Sequence, residues 1–368
     1  MDNLMNNSKT ALYEKHVENN GNIVNFAGYL LPTHYSGIKN EHNAVRKFAG
    51  LFDVSHMGQI IVSGIGSHQF LNRLTTNNLD TLSTGQIQYT VMCNKFGGII
   101  DDLLIYKQKE NYLLVVNASN KSIVLNWLKN NIIEKVIIND LSDKTGLLAL
   151  QGPKSREILK QIINVDIKSL KYYNFLNCQI DGFEVMISRT GYTGELGFEI
   201  FSENINIINI WDIIIKAGTS YGLLPAGLGC RDTLRMEVKY CLHGNDIDNK
   251  TNPIEAGLGW ITKFDQKDFI GKESCIEIKN NIKKKLICFE MLSKAIPRNS
   301  CMLYVGEKKV GYVTSGTMSP SIGKGIGLGY VEVKYTTVDQ ILIVDIRGRK
   351  KEAIIVKPPF YKRGSIHN

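Results

Sequence analysis

"IQYTVMCNKFGGIIDDLLIYKQKENYLLVVN", residues 87–117, reads as three consecutive β-strands. The turn Lys95–Gly98 separates "IQYTVMCN" from "IIDDLLIYK", and the polar "QKEN" separates that strand from "YLLVVN". Neither connection is long enough for a parallel crossover, so antiparallel hairpins are expected. The middle strand carries two adjacent acids. Side chains on a strand alternate between faces, so Asp101 and Asp102 point in opposite directions. Asp101 shares its face with Leu103 and Ile105, and Asp102 shares the other with Leu104 and Tyr106. Both faces are apolar, so at least one carboxylate is expected to be partly buried. Such an acid must find donors or take a raised pKa, and both outcomes are common at functional sites. The plainer reading is an Asp that caps turn N–H groups beside Gly97 and Gly98.

The flanking chain mixes helix and strand. "SGIKNEHNAVRKFAG" (36–50) predicts a helix capped by Ser36 and closed by Gly50, followed by the strand "QIIVSG" and the short helix "SHQFLNRLT". "ASNKSIVLNWLKNNI" has helical spacing, with Ile123, Leu125, Trp127 and Leu128 available for the core. "TGLLALQGP" is a strand, after which Pro153 opens the helix "KSREILKQII". "CQIDGFEVMISRTGYTGELGFEIF" is rich in strands, and "NINIINIWDIIIKAG" is a buried helix ending at Gly218. Residues 276–285, "IEIKNNIKKK", are polar and basic, and the chain beyond them is β-rich with turn residues between strands. A separate antiparallel barrel or sandwich is expected there. Its "GKGIGLGY" (323–330) superficially suggests a dinucleotide loop. The glycines alternate and the strand "YVEV" follows, so no nucleotide is expected.

Composition narrows the function classes. The 368 residues are 43% apolar and 21% charged, the make-up of a globular protein with core enough for two or three domains. No apolar run reaches the roughly 18–20 residues of a bilayer span. "MDNLMNNSKTALYEKHV" has neither a signal-peptide core nor the Arg-rich, acid-free character of a transit peptide. A cytoplasmic protein is expected, or the mature form of one from a mitochondrial matrix, without a membrane partner. Seven cysteines without a C-x-x-C pair argue for reduced thiols, against a disulfide framework and against structural zinc. The histidines offer no ligand spacing either, so no metal is expected. Forty-four basic residues against 35 acidic give +9, which means solubility or an acidic partner or ligand. The basic residues are dispersed and lack an aromatic-basic motif, which argues against nucleic acid.

Two further stretches could carry chemistry. In "SRTGYTGELGFEIF" (188–201), Tyr192 sits in a Gly-Tyr-Thr-Gly turn that permits close backbone approach to a ligand. Glu199 lies on the strand that follows, where it could hold an aminopyrimidine edge through two hydrogen bonds beside the tyrosine ring. Its alternative is a solvent-facing Glu on a hairpin. In "PAGLGCRDTLRMEVKY" (225–240), Arg231 lies near a helix N-terminus, which itself favours anions. Arg231 and Arg235 could together recognise a carboxylate, or Arg231 and Asp232 could merely cross-link the helix. His56, in "DVSHMG", reads as a packed or turn histidine.

Nine segments in order resemble the glycine cleavage T-protein, or aminomethyltransferase, family. They are "TALYEKHVENNGNIVNFAGYLLPTHYSGIKNEH", "AGLFDVSHMG", "GGIIDDLLIY", "LALQGP", "SRTGYTGELGFE", "AGLGCRDTLRMEV", "GNDID", "NPIEAGLGW" and "VTSGTMSPSIGKGIGLGYV". They span residues 10 to about 360. The resemblance implies an α+β, three-lobed, cloverleaf-like folate-binding fold with largely antiparallel sheets and a C-terminal β-barrel. It implies lobes of roughly 1–50 with 141–275 and of 51–140, and a barrel domain at 276–368. The implied reaction takes an aminomethyl group from the lipoyl arm of the H-protein to tetrahydrofolate, as co-substrate, without metal or nucleotide. By motif, Asp102 resembles the essential carboxylate and Asn117 a polar companion. Glu199 resembles the acceptor for the pterin edge, with Tyr89 and Tyr192 as aromatic neighbours. Arg231 resembles the ligand-anchoring arginine and Trp260 a wall of the pocket. Asp101, Met57 and Arg235 are secondary candidates.

The chain departs from the family pattern at Tyr29, Cys230, Val238, Lys239 and His243. Its tail, "PFYKRGSIHN", diverges where relatives make a further ligand contact. A folate-dependent demethylase of a small methylated donor is the nearest alternative function. The intact "FAGYLLPTHYSG", "DVSHMG" and "GNDID" favour the glycine cleavage enzyme instead. An iron–sulfur assembly or RNA-modification factor of the same fold would carry K-G-C-Y-x-G-Q-E, which this chain lacks.

Overall fold

The computed structural model describes residues 7–367, so the first six residues of the N-terminal reading and Asn368 of the tail lie outside the described residues. Two large antiparallel sheets and one barrel carry the chain, with a small three-stranded sheet at residues 8–32. The quoted hairpins form as read: Ile87–Cys93, Ile99–Lys107 and Asn111–Val116 pair antiparallel, and Gly58–Ser63 and Ile137–Asp140 complete five strands. A six-stranded sheet runs in the order Phe175–Ile180, Phe183–Ser188, Gly197–Glu203, Thr145–Gln151, Ala49–Asp53, Leu223–Pro225, and only its last pair is parallel. Six strands between Lys284 and Val356 close into an antiparallel barrel.

The strand Ile99–Lys107 is apolar throughout because both of its faces are covered. Leu103 and Ile105 pack under the helices Ser67–Leu74 and Lys121–Asn130. Tyr106, with Leu104 beside it, packs against Phe201, Met186 and Ala149 of the larger sheet. The other face of that larger sheet buries Ile207, Ile210, Trp211 and Ile214 of the helix Asn204–Gly218. The "NKFGG" turn is fixed by close approach rather than by its sequence alone. A Cβ on Gly98 would lie 1.9 Å from the Asn249 carbonyl oxygen, and Gly97 takes a positive φ of 76°.

Several local expectations need correction. The helix predicted over 36–50 is Ile38–Lys47, because the Glu41 carboxylate collects the N–H groups of Tyr35, Ser36 and Gly37 in place of a Ser36 cap. Gly50 lies in the strand Ala49–Asp53, where Val45 leaves no room for a side chain. On Lys121–Asn130, Val124 and Leu128 enter the core while Ile123 is exposed, a rotation of about one position. The helix after Pro153 is only Ser155–Leu159. In the barrel, Gly325, Gly327 and Gly329 sit against Ala295, the Phe289 ring and the Tyr312 carbonyl, so packing explains their spacing.

A buried ionic cluster fastens barrel, helices and tail together. Arg46 reaches Glu195 and Glu237, each at 2.8 Å, and stacks on the Tyr361 ring. His42 bonds Thr233 and Ser321, and Ser365 donates its N–H to Glu195 at 2.8 Å. Tyr361 donates its N–H to the Glu237 carbonyl, so the diverged tail returns across the larger lobe. Among the described residues, no helix is long and apolar enough to cross a membrane.

Candidate active site

Asp101 and Asp102 take opposite faces, yet one amide joins them. The register slips between Met92 and Cys93, leaving Ile100 unpaired just before the acids. Asp101 is fully buried and accepts from the Asn117 N–H at 3.1 Å, from Asn117 Nδ2 at 2.8 Å and from Asn120 Nδ2 at 2.8 Å. Asn117 Nδ2 also lies 2.9 Å from Asp102 Oδ1. Asp102 is half-buried, and Tyr89 donates its hydroxyl to Oδ2 at 2.9 Å. Burial, reinforced by the neighbouring charge of Asp102, pushes Asp101 up to about 8. Burial raises Asp102 as well, while Tyr89, His243 and Asn117 pull it back. At about 8 Asp101 keeps a proton past neutral pH, and the two acids titrate as a coupled pair.

The larger sheet supplies the opposite wall. Glu199 is buried and accepts from the Thr190 hydroxyl at 2.5 Å. Burial raises its pKa, and Thr190, Arg231 and Tyr106 oppose the shift. The reading of Glu199 as a solvent-facing hairpin residue is thereby excluded. Tyr192 donates its hydroxyl to the Cys241 carbonyl and stacks on Tyr240 at 5.7 Å. The glycines around it serve protein packing, not ligand approach: a Cβ on Gly191 would strike Gln151, and one on Gly194 would strike Val238.

Arg231 rises from the helix Leu228–Glu237 with its guanidinium 4.5 Å over the Tyr192 ring. No side-chain or carbonyl acceptor within hydrogen-bond distance engages that guanidinium among the described residues. Burial depresses its pKa, and Tyr192 and Glu199 counter the effect. At the N-terminus of that helix two donors are already taken, the Gly227 N–H by Glu41 at 2.9 Å and the Gly229 N–H by the Thr33 carbonyl at 2.9 Å. Arg235 is equally unavailable. It is buried on Asp246 at 2.6 Å, Asp232 at 2.8 Å and Ser315 at 2.9 Å, and so anchors the loop that carries Tyr240.

Trp260 is 62% exposed, with its ring 6.1 Å from Tyr89. Met57 is half-buried between the two sheets. Two residues near the site, Tyr173 and Asn120, are not singled out in the sequence, and two histidines, His56 and His243, are read there without a role at the site. Tyr173, half-buried with φ +60°, is pushed up by burial, then by Tyr240 and the charge of Glu199. Asn120 bonds Asp101 from the far side, and the His243 ring lies behind Asn120. His56 is 3% exposed and packs edge-on to Phe26, with no partner for its Nδ1. Burial and the charge of Arg231 lower its pKa to about 4, so the ring is neutral.

A carboxylate pair, a guanidinium without an acceptor and an aromatic wall lie beside two large sheets and a closed barrel, and these elements define a three-lobed α+β protein. Residues 12–266 match the GCVT N-terminal domain model, and residues 284–362 match the glycine cleavage T-protein C-terminal barrel domain model. An aminomethyltransferase of Halothermothrix orenii is 46% identical over 96% of this chain and 99% of its own. One of Caldanaerobacter subterraneus subsp. tengcongensis is 46% identical over 98% of each. The crystal structure of glycine cleavage system aminomethyltransferase T from Bartonella henselae superposes with a TM-score of 0.91 at 30% identity, covering 97% of this chain and 99% of that one. The chain belongs to the glycine cleavage T-protein family of aminomethyltransferases. It is a one-carbon transferase, and the demethylase and assembly-factor alternatives are not favoured.

Proposed function

We propose that this site binds tetrahydrofolate and passes to it the one-carbon unit of an aminomethyl group carried on the lipoyl arm of the H-protein. In the balanced reaction the S–CH2 and CH2–NH2 bonds break and two N–CH2 bonds form on the folate. The two displaced N–H protons leave with ammonia and with the lipoyl thiol, giving 5,10-methylenetetrahydrofolate. No oxidant or reductant is needed.

The observation that carries this reading is the half-buried Asp102 carboxylate, held in place by Tyr89 and Asn117 and, unlike Asp101, not wholly closed off from solvent. A folate nitrogen that attacks the aminomethyl carbon becomes more positive, and a fixed anion stabilises that charge without reorganising. The same carboxylate can take the second N–H proton at ring closure. Glu199 has a carboxylate oxygen beyond the one bonded to Thr190 to receive an aminopyrimidine edge. Arg231 supplies the cation for an oxygen or carboxylate of the ligand, and Tyr89, Tyr192 and Trp260 supply flat apolar surface. The +9 balance suits an anionic folate tail and an acidic carrier protein. Asp101 and Met57 serve here as neighbours of the site rather than as ligand contacts.

The test is purified protein with aminomethylated lipoyl carrier and tetrahydrofolate, with ammonia followed over time. Release that does not depend on tetrahydrofolate overturns the reading.

A further inference from the structure

The helix Ser67–Leu74 closes on Thr75, which is extended, and the next N–H, of Thr76, goes to the Val91 carbonyl at 3.0 Å. The last carbonyls of the helix are therefore left to donors from elsewhere in the chain. Ile270 gives its N–H to the Arg73 carbonyl at 3.0 Å. Lys267 donates to the Asn72 carbonyl, and the same nitrogen lies 2.9 Å from Asn72 Oδ1, 2.5 Å from the Thr75 carbonyl and 2.9 Å from the Asn77 carbonyl. Three hydrogens serve four oxygens, two of which belong to Asn72 and can share one. The negative end of the helix dipole adds to the attraction. Burial works against the charge and draws the amine down to about 7, while Asp80 and Asp268 work the other way. The oxygens have no hydrogen to offer a lone pair, so the arrangement fits the ammonium ion and not the free amine.

The loop that Lys267 gathers is bonded on both sides to walls of the site. Toward the strand Ile87–Cys93, Asn77 accepts for its N–H the Thr90 hydroxyl oxygen at 3.1 Å and donates its side-chain amide to the Tyr89 carbonyl at 2.9 Å. Toward the turn that carries Trp260, the Thr76 hydroxyl donates to the Ile261 carbonyl at 3.0 Å, and Lys263 donates its N–H to the Thr76 carbonyl at 2.9 Å. Residues 75–77 thus tie Tyr89, whose hydroxyl orients Asp102, to Trp260, whose ring lies 6.1 Å from it. These bonds link Lys267 to both aromatic walls through a single loop.

We propose that Lys267 is a positioning residue for the ligand pocket, its ammonium ion drawing together the carbonyls of Asn72, Thr75 and Asn77 and so fixing the loop that sets Tyr89 against Trp260. This rests on the reading of the site as one for tetrahydrofolate. Without the cation four oxygen dipoles face one another and repel, the loop opens, and the spacing of the two rings is lost.

The experiment measures tetrahydrofolate affinity by calorimetry, and KM for tetrahydrofolate and for the aminomethylated carrier by ammonia release, in wild type, Lys267→Met and Lys267→Ala. Lys267→Met keeps the length of the chain without the charge. Lys267→Ala leaves room for ethylammonium, a small cation with three N–H donors, and tetramethylammonium at the same ionic strength is the control without donors. Both variants should weaken tetrahydrofolate binding about 5- to 20-fold, with KM for the carrier within about twofold of wild type. Ethylammonium should restore at least about half of the lost affinity in Lys267→Ala and none in wild type or Lys267→Met, and tetramethylammonium should restore none. If Lys267→Ala does not fold, Lys267→Met is judged by the contrast between the two KM values. Unchanged tetrahydrofolate affinity, equal losses for both substrates, or a folded Lys267→Ala that ethylammonium does not rescue overturns the proposal. Wild-type protein that fails to bind tetrahydrofolate removes the reading of the site and this proposal with it. Normal binding in wild type and Lys267→Met alike removes this proposal alone.

Discussion

Tyr89 and Asp102 meet diagonally across neighbouring strands, with the phenol oxygen 2.9 Å from Asp102 Oδ2. Val91, not Tyr89, lies opposite Asp102 in the ladder, so the tyrosine reaches along the shared face from two residues away. This bond, with the Asn117 amide, fixes the orientation of the carboxylate.

Replacing that carboxylate should remove chemistry and leave binding. We expect Asp102→Asn to lower turnover by about 100-fold or more, with tetrahydrofolate affinity within about tenfold of wild type by calorimetry. Asp101→Asn should be milder, because the buried acid already carries the shared proton. Equal losses in the two variants would show that the faces do not divide the work.

Arg231 offers a different contrast. Its guanidinium is largely buried without an ion pair, a state that costs folding energy and favours an anionic ligand. Arg231→Met should weaken tetrahydrofolate binding by about 10- to 100-fold while leaving the melting temperature unchanged or raised. A large fall in melting temperature would assign the arginine to the fold instead.

Arg46 should behave oppositely. It neutralises two buried carboxylates, and Glu237 stays near 2 because His42 and Arg46 outweigh its burial. Arg46→Met leaves both acids without their cation and should cost about 3–5 kcal/mol in chemical denaturation. Adding Glu237→Gln should recover part of that loss; no recovery would mean that shape, not charge, holds the cluster.

The acid pair also predicts how stability varies with pH. Asp101 is raised to about 8, so between roughly pH 4 and 8 the folded state keeps a proton that the unfolded chain releases. Its contribution is fully present below about pH 4 and is lost as pH rises through 8. His56 is a base lowered to about 4, so it is the unfolded chain that takes up a proton on acidification. Stability from His56 is present above about pH 6.5 and is lost as pH falls through 4. Melting curves should therefore show Asp101→Asn gaining on wild type from pH 6 to 9, and His56→Gln gaining from pH 6.5 to 4. Parallel curves for wild type and variant would contradict the assigned protonation.

Much of the site was legible because it rests on local rules. Hairpin spacing gave the five-stranded sheet its order around Asp101 and Asp102, and alternation separated their faces. The resemblance then drew attention to Glu199, Arg231 and Trp260. Arg235 was a secondary candidate beside Arg231 because both lie on one helix, one turn apart. Burial against Asp246 made it a fastener, and a helical repeat carries no information about which residue meets a buried acid.

The sequence by itself determined the hairpin strands and the opposite facing of the two acids, because each follows from periodicity within a few residues, whereas closure of the C-terminal strands into a barrel depends on pairing across the whole domain. Tertiary structure decided which acid keeps the proton. Asp101 is the deeper one only because Asn117 and Asn120 close over it from the end of the next strand, and His243 arrives there from a loop 123 residues further on. Protonation depends on the local dielectric and on donors within about 3 Å, and those are set by segments that the chain brings together only on folding.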